Sequence, residues 1–257
     1  MIPSQNPLDY PFLVLIVTFS VFLGSALVGA HFRERRSTPE NGGDYEDFAL
    51  LLGGALTLLG LITGFAFSMA VNRYDQRKIY EEQEANAIGT EYVRADLLPP
   101  ADAAQVRAML LSYLDERVLN YITRNENQVR QIDVKTANLQ ATMWSAVTAP
   151  AGEEPSPVMA LIVQGMNDVL NSQGYTQAAW WNRIPITAWI LVITISIFCN
   201  LLIGYGAHRN SMIRFLILPV ALSISLFLIA DIDSPRGGFI LLQPQNLKAL
   251  SDSLHSR

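Results

Sequence analysis

Apolar residues gather in four long blocks, two towards each end of the chain, and polar residues fill the stretch between the pairs. The first block runs from Pro11 to Ala30, the second from Phe48 to Val71, the third from Ile184 to Gly206 and the fourth from Ile213 to Ala230. Each is close to the ~20 residues a helix needs to cross a hydrocarbon core of ~30 Å. The pattern therefore predicts four transmembrane helices. A secretory signal peptide is a poor account of the first block, because the preceding MIPSQNPLDY has no basic residue and the block is too long for a signal core.

The polar stretch also has helical periodicity. Ile79, Ala87, Ile88, Tyr92 and Val93 recur among Glu81, Glu82, Glu84, Glu91 and Arg94, up to a stop at Pro99-Pro100. Asp102 is placed to cap the next helix, which carries an apolar stripe of Val106, Met109, Leu110, Tyr113, Leu114, Val118 and Tyr121. Further helices are expected over Val129–Val147 and Val158–Leu170, with PAGEEPSP (Pro150–Pro157) as the one obvious loop. No run alternates like a strand, so the expected fold is an all-α integral membrane protein: four transmembrane helices, with a helical extramembrane domain between the second and third. The expected division is transmembrane helices one and two at 11–71, the helical domain at 72–183, helices three and four at 184–230, and a C-terminal turn and tail at 231–257. From Ala66 to Arg94 there is no proline and only one glycine, Gly89. The second span should therefore continue into the polar domain as one long rod.

Composition agrees. Half of the 257 residues are hydrophobic and 16% are charged, against about 25% charged in soluble proteins. Mean hydropathy is +0.23. A net charge of −5 gives no basic footprint for nucleic acid. The single cysteine, Cys199, excludes intrachain disulfides and CxxC sites, and His31, His208 and His255 lie too far apart to predict a metal site. Phosphate-loop, dinucleotide, nucleophile-elbow and HExxH motifs are all missing, so no enzyme, cofactor or metal is expected. Arginine counts leave the orientation open. Arg33, Arg35 and Arg36 flank the first loop, while Arg73, Arg77, Lys78 and Arg183 flank the polar domain's side and Arg236 follows the last span.

No span carries an ionisable residue in its interior, which disfavours proton-coupled transport and leaves a passive conduit or a structural membrane module. The second span is glycine-rich, with Gly53, Gly54, Gly60 and Gly64. Gly60 and Gly64 lie on one face and permit close helix packing. The simpler account is packing within one subunit. The sharper one is that Thr57, Leu61 and Phe65, spaced by four, form an apolar pore constriction in an oligomer. A solvated face of Arg77 and Lys78 paired with Glu81, Glu82 and Glu84 is the favoured account of most of the charges that follow; if the helices ring a pore, Arg73, Arg77 and Glu81 would be pore-mouth charges that bias ion selectivity. After the fourth span, Asp231, Asp233 and Arg236 belong to a tight turn, with Arg236 available to pair with an aspartate, and the six oxygens of a calcium loop are not available. Trp180 and Trp181 read as an interfacial anchor, and Gln243 to Leu250 as a short amphipathic helix packing through Leu247 and Leu250.

A glycine-rich second span running into GFAFSMAVNRYDQRKIYEEQEANAIGT, then a helical domain, two closing spans and DIDSPRGGFI, resembles the bestrophin-like family of bacterial membrane proteins, distant relatives of the bestrophin channels. The stretch EANAIGTEYVRADLLP, Glu84 to Pro99, carries the resemblance most specifically. The resemblance implies a homo-oligomer, a pentamer, whose second helices line a central pore passing small inorganic ions. Leu61 and Phe65 match neck positions of that pattern, and Thr57 departs from the bulky apolar residue found there. It also implies the cell inner membrane, with both termini and the helical domain in the cytoplasm, and it does not imply calcium gating. Apart from a channel, the same features suit a non-conducting membrane scaffold or sensor whose helical domain binds a partner.

Overall fold

A computed structural model describes residues 7–34, 42–153, 155–206 and 212–256. Arg35, Arg36 and His208, used above for orientation and metal chemistry, lie outside the described residues, as does Glu154 of the expected loop. The described elements are α1 (Pro11–Glu34), α2 (Gly42–Arg94), a 3-10 turn (Ala95–Leu97), α3 (Pro100–Ile122), α4 (Glu126–Glu153), α5 (Pro157–Trp181), α6 (Ile186–Gly206), α7 (Met212–Asp233) and α8 (Gln245–His255), with a further 3-10 turn at Pro7–Asp9. There is no strand among the described residues. Four helices are long and apolar enough to cross a membrane: α1, α2, α6 and α7. The all-α, four-span fold class is borne out.

The chain divides into two compact units, Met1–Arg73 with Arg183–Leu241, and Tyr74–Asn182 with Leu242–Arg257. In the first, α1 packs against α6 and α7. It buries Pro11, Val14, Thr18, Phe22, Ala26 and Gly29, a stripe of threes and fours along one face. In lipid no water is available to satisfy a polar group, and hydroxyls turn back to their own helix: Thr18 Oγ1 donates to Val14 O at 2.7 Å, Ser196 Oγ to Val192 O at 2.7 Å. The seam between α1 and α6 is closed by two glycines. A Cβ on Gly29 would sit 2.0 Å from Leu201 O, and one on Gly204 would sit 1.9 Å from Ala26 O. Inside the chain the close approach is made here, and nothing comes within 4 Å of a Cβ built on Gly60 or Gly64.

The second unit packs α3 against α4 and α8, and α4 against α5. Its core includes Ile88, Val106, Leu110, Tyr113, Leu114, Met143, Val147, Ile162, Met166 and Leu247. Three expectations are corrected here. Asp102 is not a cap: α3 starts with Pro100 at its first position and Pro99 before it, leaving Asp102 in the first turn, where its charge suits the helix dipole. The expected loop at Pro150 is helical as far as Glu153, because α4 accommodates Pro150 near its end. Trp180 is no interfacial anchor: it is buried in this unit's core, edge-on to Tyr121 with ring centroids 5.2 Å apart. Trp181 is exposed.

Candidate functional site

The membrane part of α2 is almost bare. Only 6% of its apolar window is buried in the chain, against 33%, 28% and 39% for the other three spans. Leu59, Ala66 and Ala70 face the first unit's core, Ala55, Leu56, Ile62 and Met69 are half-buried against it, and the opposite face is open. Thr57 is exposed, its hydroxyl donating to Gly53 O at 2.9 Å. Leu61 and Phe65 are 54% and 61% exposed, and Gly53, Gly54, Gly60 and Gly64 lie uncovered beside them. The five residues Thr57, Gly60, Leu61, Gly64 and Phe65 thus share one open surface. An apolar surface of this size on a single helix is what an oligomer or a lipid-facing pore helix leaves on an isolated subunit.

Beyond Arg73, α2 is organised differently. Arg77, Glu81, Glu84, Ile88 and Glu91 form its buried stripe, spaced four and three and continued by Ala95 in the 3-10 turn, and four of these six are ionisable. The solvated, salt-bridged face expected for these residues is therefore a buried one, and Ile79 and Val93 are exposed instead. Arg73 is half-buried, whereas Arg77 and Glu81 are buried inside the second unit. Arg77 Nε donates to Ala179 O at 3.4 Å. Glu81 accepts from Asn246 Nδ2 at 2.7 Å and from Leu247 N at 2.9 Å, so it caps α8 from another helix. Lys78 and Glu82 remain exposed.

Glu84 is the centre of a buried network. It is fully buried, takes the Arg117 guanidinium through Nε, and accepts from Thr176 Oγ1 at 3.0 Å and Tyr121 OH at 3.3 Å. Burial, then the Glu84 charge, pushes the Tyr113 and Tyr121 hydroxyls well above their ordinary range, so both stay neutral, Tyr121 donating to Glu84 and Tyr113 accepting from Gln140 Nε2 at 3.4 Å. Burial opposes the Arg117 charge, and the Glu84 carboxylate outweighs it, holding the guanidinium ionised. Glu91 differs. Neither of its oxygens has a hydrogen-bond partner, and burial lifts its carboxyl from 4.5 to about 7.

At the other end of the first unit, Arg183 joins three segments. Its Nη1 pairs with Asp9, and its Nε lies 3.3 Å from Asp233, whose other oxygen accepts from Ile184 N at 3.2 Å. Asp231, at the end of α7, accepts from Phe239 N at 2.7 Å and Ile240 N at 2.8 Å. The turn after the fourth span is thus tied by backbone amides and by an arginine 50 residues earlier in the chain, and Arg236 is half-buried beside it. No group of three metal-ligating side chains occurs among the described residues.

Sequence reasoning missed Glu84, Glu91, Arg117, Thr176 and the Asp9–Arg183 pair. One signal was available: Glu84 and Glu91 sit on the same four-three spacing as Ile88, which marks core positions even when the residues are charged.

No curated protein matches the chain. Among solved structures the fold is similar to that of a bacterial Bestrophin homolog from Klebsiella pneumoniae. The TM-score is 0.64 at 13% identity, over 95% of this chain and 97% of that one. A point variant of that homolog gives 0.64 at 12% identity, over 96% and 98%. At such identities the likeness is one of fold. The sequence model described as the Bestrophin-like domain matches residues 13–247, and with most of its length inside that match the chain is a multi-pass membrane protein belonging to the bestrophin-like family.

Proposed function

We propose that the chain is the subunit of a homo-oligomeric ion channel, a pentamer, that passes small inorganic ions passively along a pore lined by α2. The observation that carries this reading is the bareness of α2: its subunit covers 6% of the apolar window, and the open surface holds no ionisable group between Thr57 and Phe65. In a ring of subunits that surface would face a shared lumen and the neighbouring copies, with Leu61 and Phe65 narrowing the passage and gating it by dewetting. Thr57 would place a hydroxyl a turn away. Charges left exposed on the continuing helix, Asp75, Lys78 and Glu82, would act on the permeating ion in place of the buried Arg77 and Glu81. In this reading the protein sits in the cell inner membrane with residues 72–183 and both termini in the cytoplasm.

The test is flux from proteoliposomes, with subunit number measured by native mass spectrometry. Wild-type protein is expected to pass small monovalent ions, and Phe65→Ala to raise conductance several-fold. Because Phe65 is exposed on the subunit, its truncation should change the subunit's own stability by less than about 1 kcal/mol. A scaffold predicts the opposite pair of results: no flux, and loss of about 3–5 kcal/mol from an assembly that buries Phe65. Silence of both proteins towards every monovalent ion tried overturns the channel.

A further inference from the structure

We infer that Glu91 is a proton-binding site inside the helical unit, where its ionisation puts an incompletely compensated negative charge between α2 and α5. The site is assembled by packing. Glu91 lies on the buried stripe of α2, fully buried, and faces Gly165 of α5, which is itself buried. A Cβ at residue 165 would fall 1.9 Å from Glu91 Oε2 and 2.3 Å from Arg94 Nη1. Only a glycine leaves room for the carboxyl, so α5 is shaped around this acid. Glu81 and Glu84, about three and two turns earlier on the same stripe, accept from two and three residues. Glu91 receives none.

The charges around it do not make a closed pair. From α2, Arg94 Nη1 stands 3.8 Å away and is 28% exposed, with its side chain along an open groove between α2 and α8 that also includes Asn86, Thr90, Asn246 and Ser253. From α5, Asp168 adds repulsion, its carboxylate engaged by Gln164 Nε2 at 2.8 Å. On the 3-10 turn and α3, Asp96 and Arg107 pair with each other. Burial favours the neutral acid, and the attraction of the partly exposed Arg94 at 3.8 Å, itself opposed by Asp168, does not offset it.

The direction of the effect follows by linkage. Glu91 is held above its unfolded value, so its contribution to stability is complete below about 4.5 and is lost as pH rises through about 7. Mild acid tightens the α2–α5 contact, and mild alkali loosens it.

The test uses the full-length protein in detergent and needs no ion passage. Infrared difference spectra across pH should show a protonated buried carboxyl whose C=O band fades with a midpoint near 7. Glu91→Gln, close to the neutral acid in shape, should lack that band. It should also melt at higher temperature than wild type at alkaline pH and equally at acid pH. Arg94→Gln removes the cation 3.8 Å away and should move the band's midpoint up by about one pH unit or more. A band that persists in Glu91→Gln, melting curves with parallel pH dependence in the two proteins, or a midpoint unmoved in Arg94→Gln would each overturn the assignment.

Discussion

Glu84→Ala is expected to destabilise the helical unit by about 3–5 kcal/mol, the range for breaking one half of a buried ion pair. The loss comes from what remains behind. Arg117 is 2% exposed and has its Nε on the Glu84 carboxylate, while Tyr121 OH and Thr176 Oγ1 both donate to Glu84 Oε2. Truncation strands a guanidinium and two hydroxyls in a site that water does not reach. If that account is right, the double variant Glu84→Met with Arg117→Met should recover much of the loss, because a buried pair exchanged whole for apolar side chains of similar volume is close to neutral. Thermal unfolding of the two single variants and the double one in detergent gives the coupling energy directly. Additive losses, or a single variant within about 1 kcal/mol of wild type, would show that the network contributes little.

The second large effect lies in the membrane unit. Gly29→Ala combined with Gly204→Ala should cost more than about 3 kcal/mol, at the upper end of overpacking penalties. Each new Cβ would meet a main-chain oxygen of the facing helix at 2.0 and 1.9 Å, and a helix backbone cannot rotate aside as a side chain can. The two helices would have to separate by about 1 Å, and dispersion falls off over that distance. The packing of Val14 and Phe22 in the core they share with Val192 and Cys199 would weaken together with the Ala26–Gly204 approach. Gly60→Ala and Gly64→Ala make the control. Both positions are open within 4 Å, so the subunit should melt as wild type does. If copies pack through this face, the effect of these substitutions will appear in the oligomer distribution on native mass spectrometry.

How much of this could be read from the sequence depends on which solvent each segment meets. Lipid dictates some twenty apolar residues per span, so the spans at Pro11, Phe48, Ile184 and Ile213 stand out and their helices are found where expected. The C-terminal amphipathic helix was legible for a related reason: Leu247 is buried, and Leu250 lies 3.1 Å from a Cβ built on Gly89. The charged stripe of α2 was not legible. Glutamates and arginines on a polar helix ordinarily mark its wet face, and the partners that make burial affordable are remote. Arg117 lies 33 residues from Glu84, Thr176 lies 92 away, and Leu247 lies 166 from Glu81. Trp180 was misread for the same reason, since the ring that packs on it, Tyr121, belongs to a helix far back in the chain. For the candidate site, spacing put Thr57, Leu61 and Phe65 on one face, and their exposure depends on which helices cover α2, something that periodicity within α2 does not encode.

The cap that Glu81 places on α8 has a consequence for biosynthesis. Its donors, Asn246 and Leu247, leave the ribosome 165 and 166 residues after it. Until then the carboxylate has only water to accept from, and the face of α2 that carries it cannot close. This contact of the helical unit therefore closes only once residues 245–255 have been made, after the partners of Glu84 are already present.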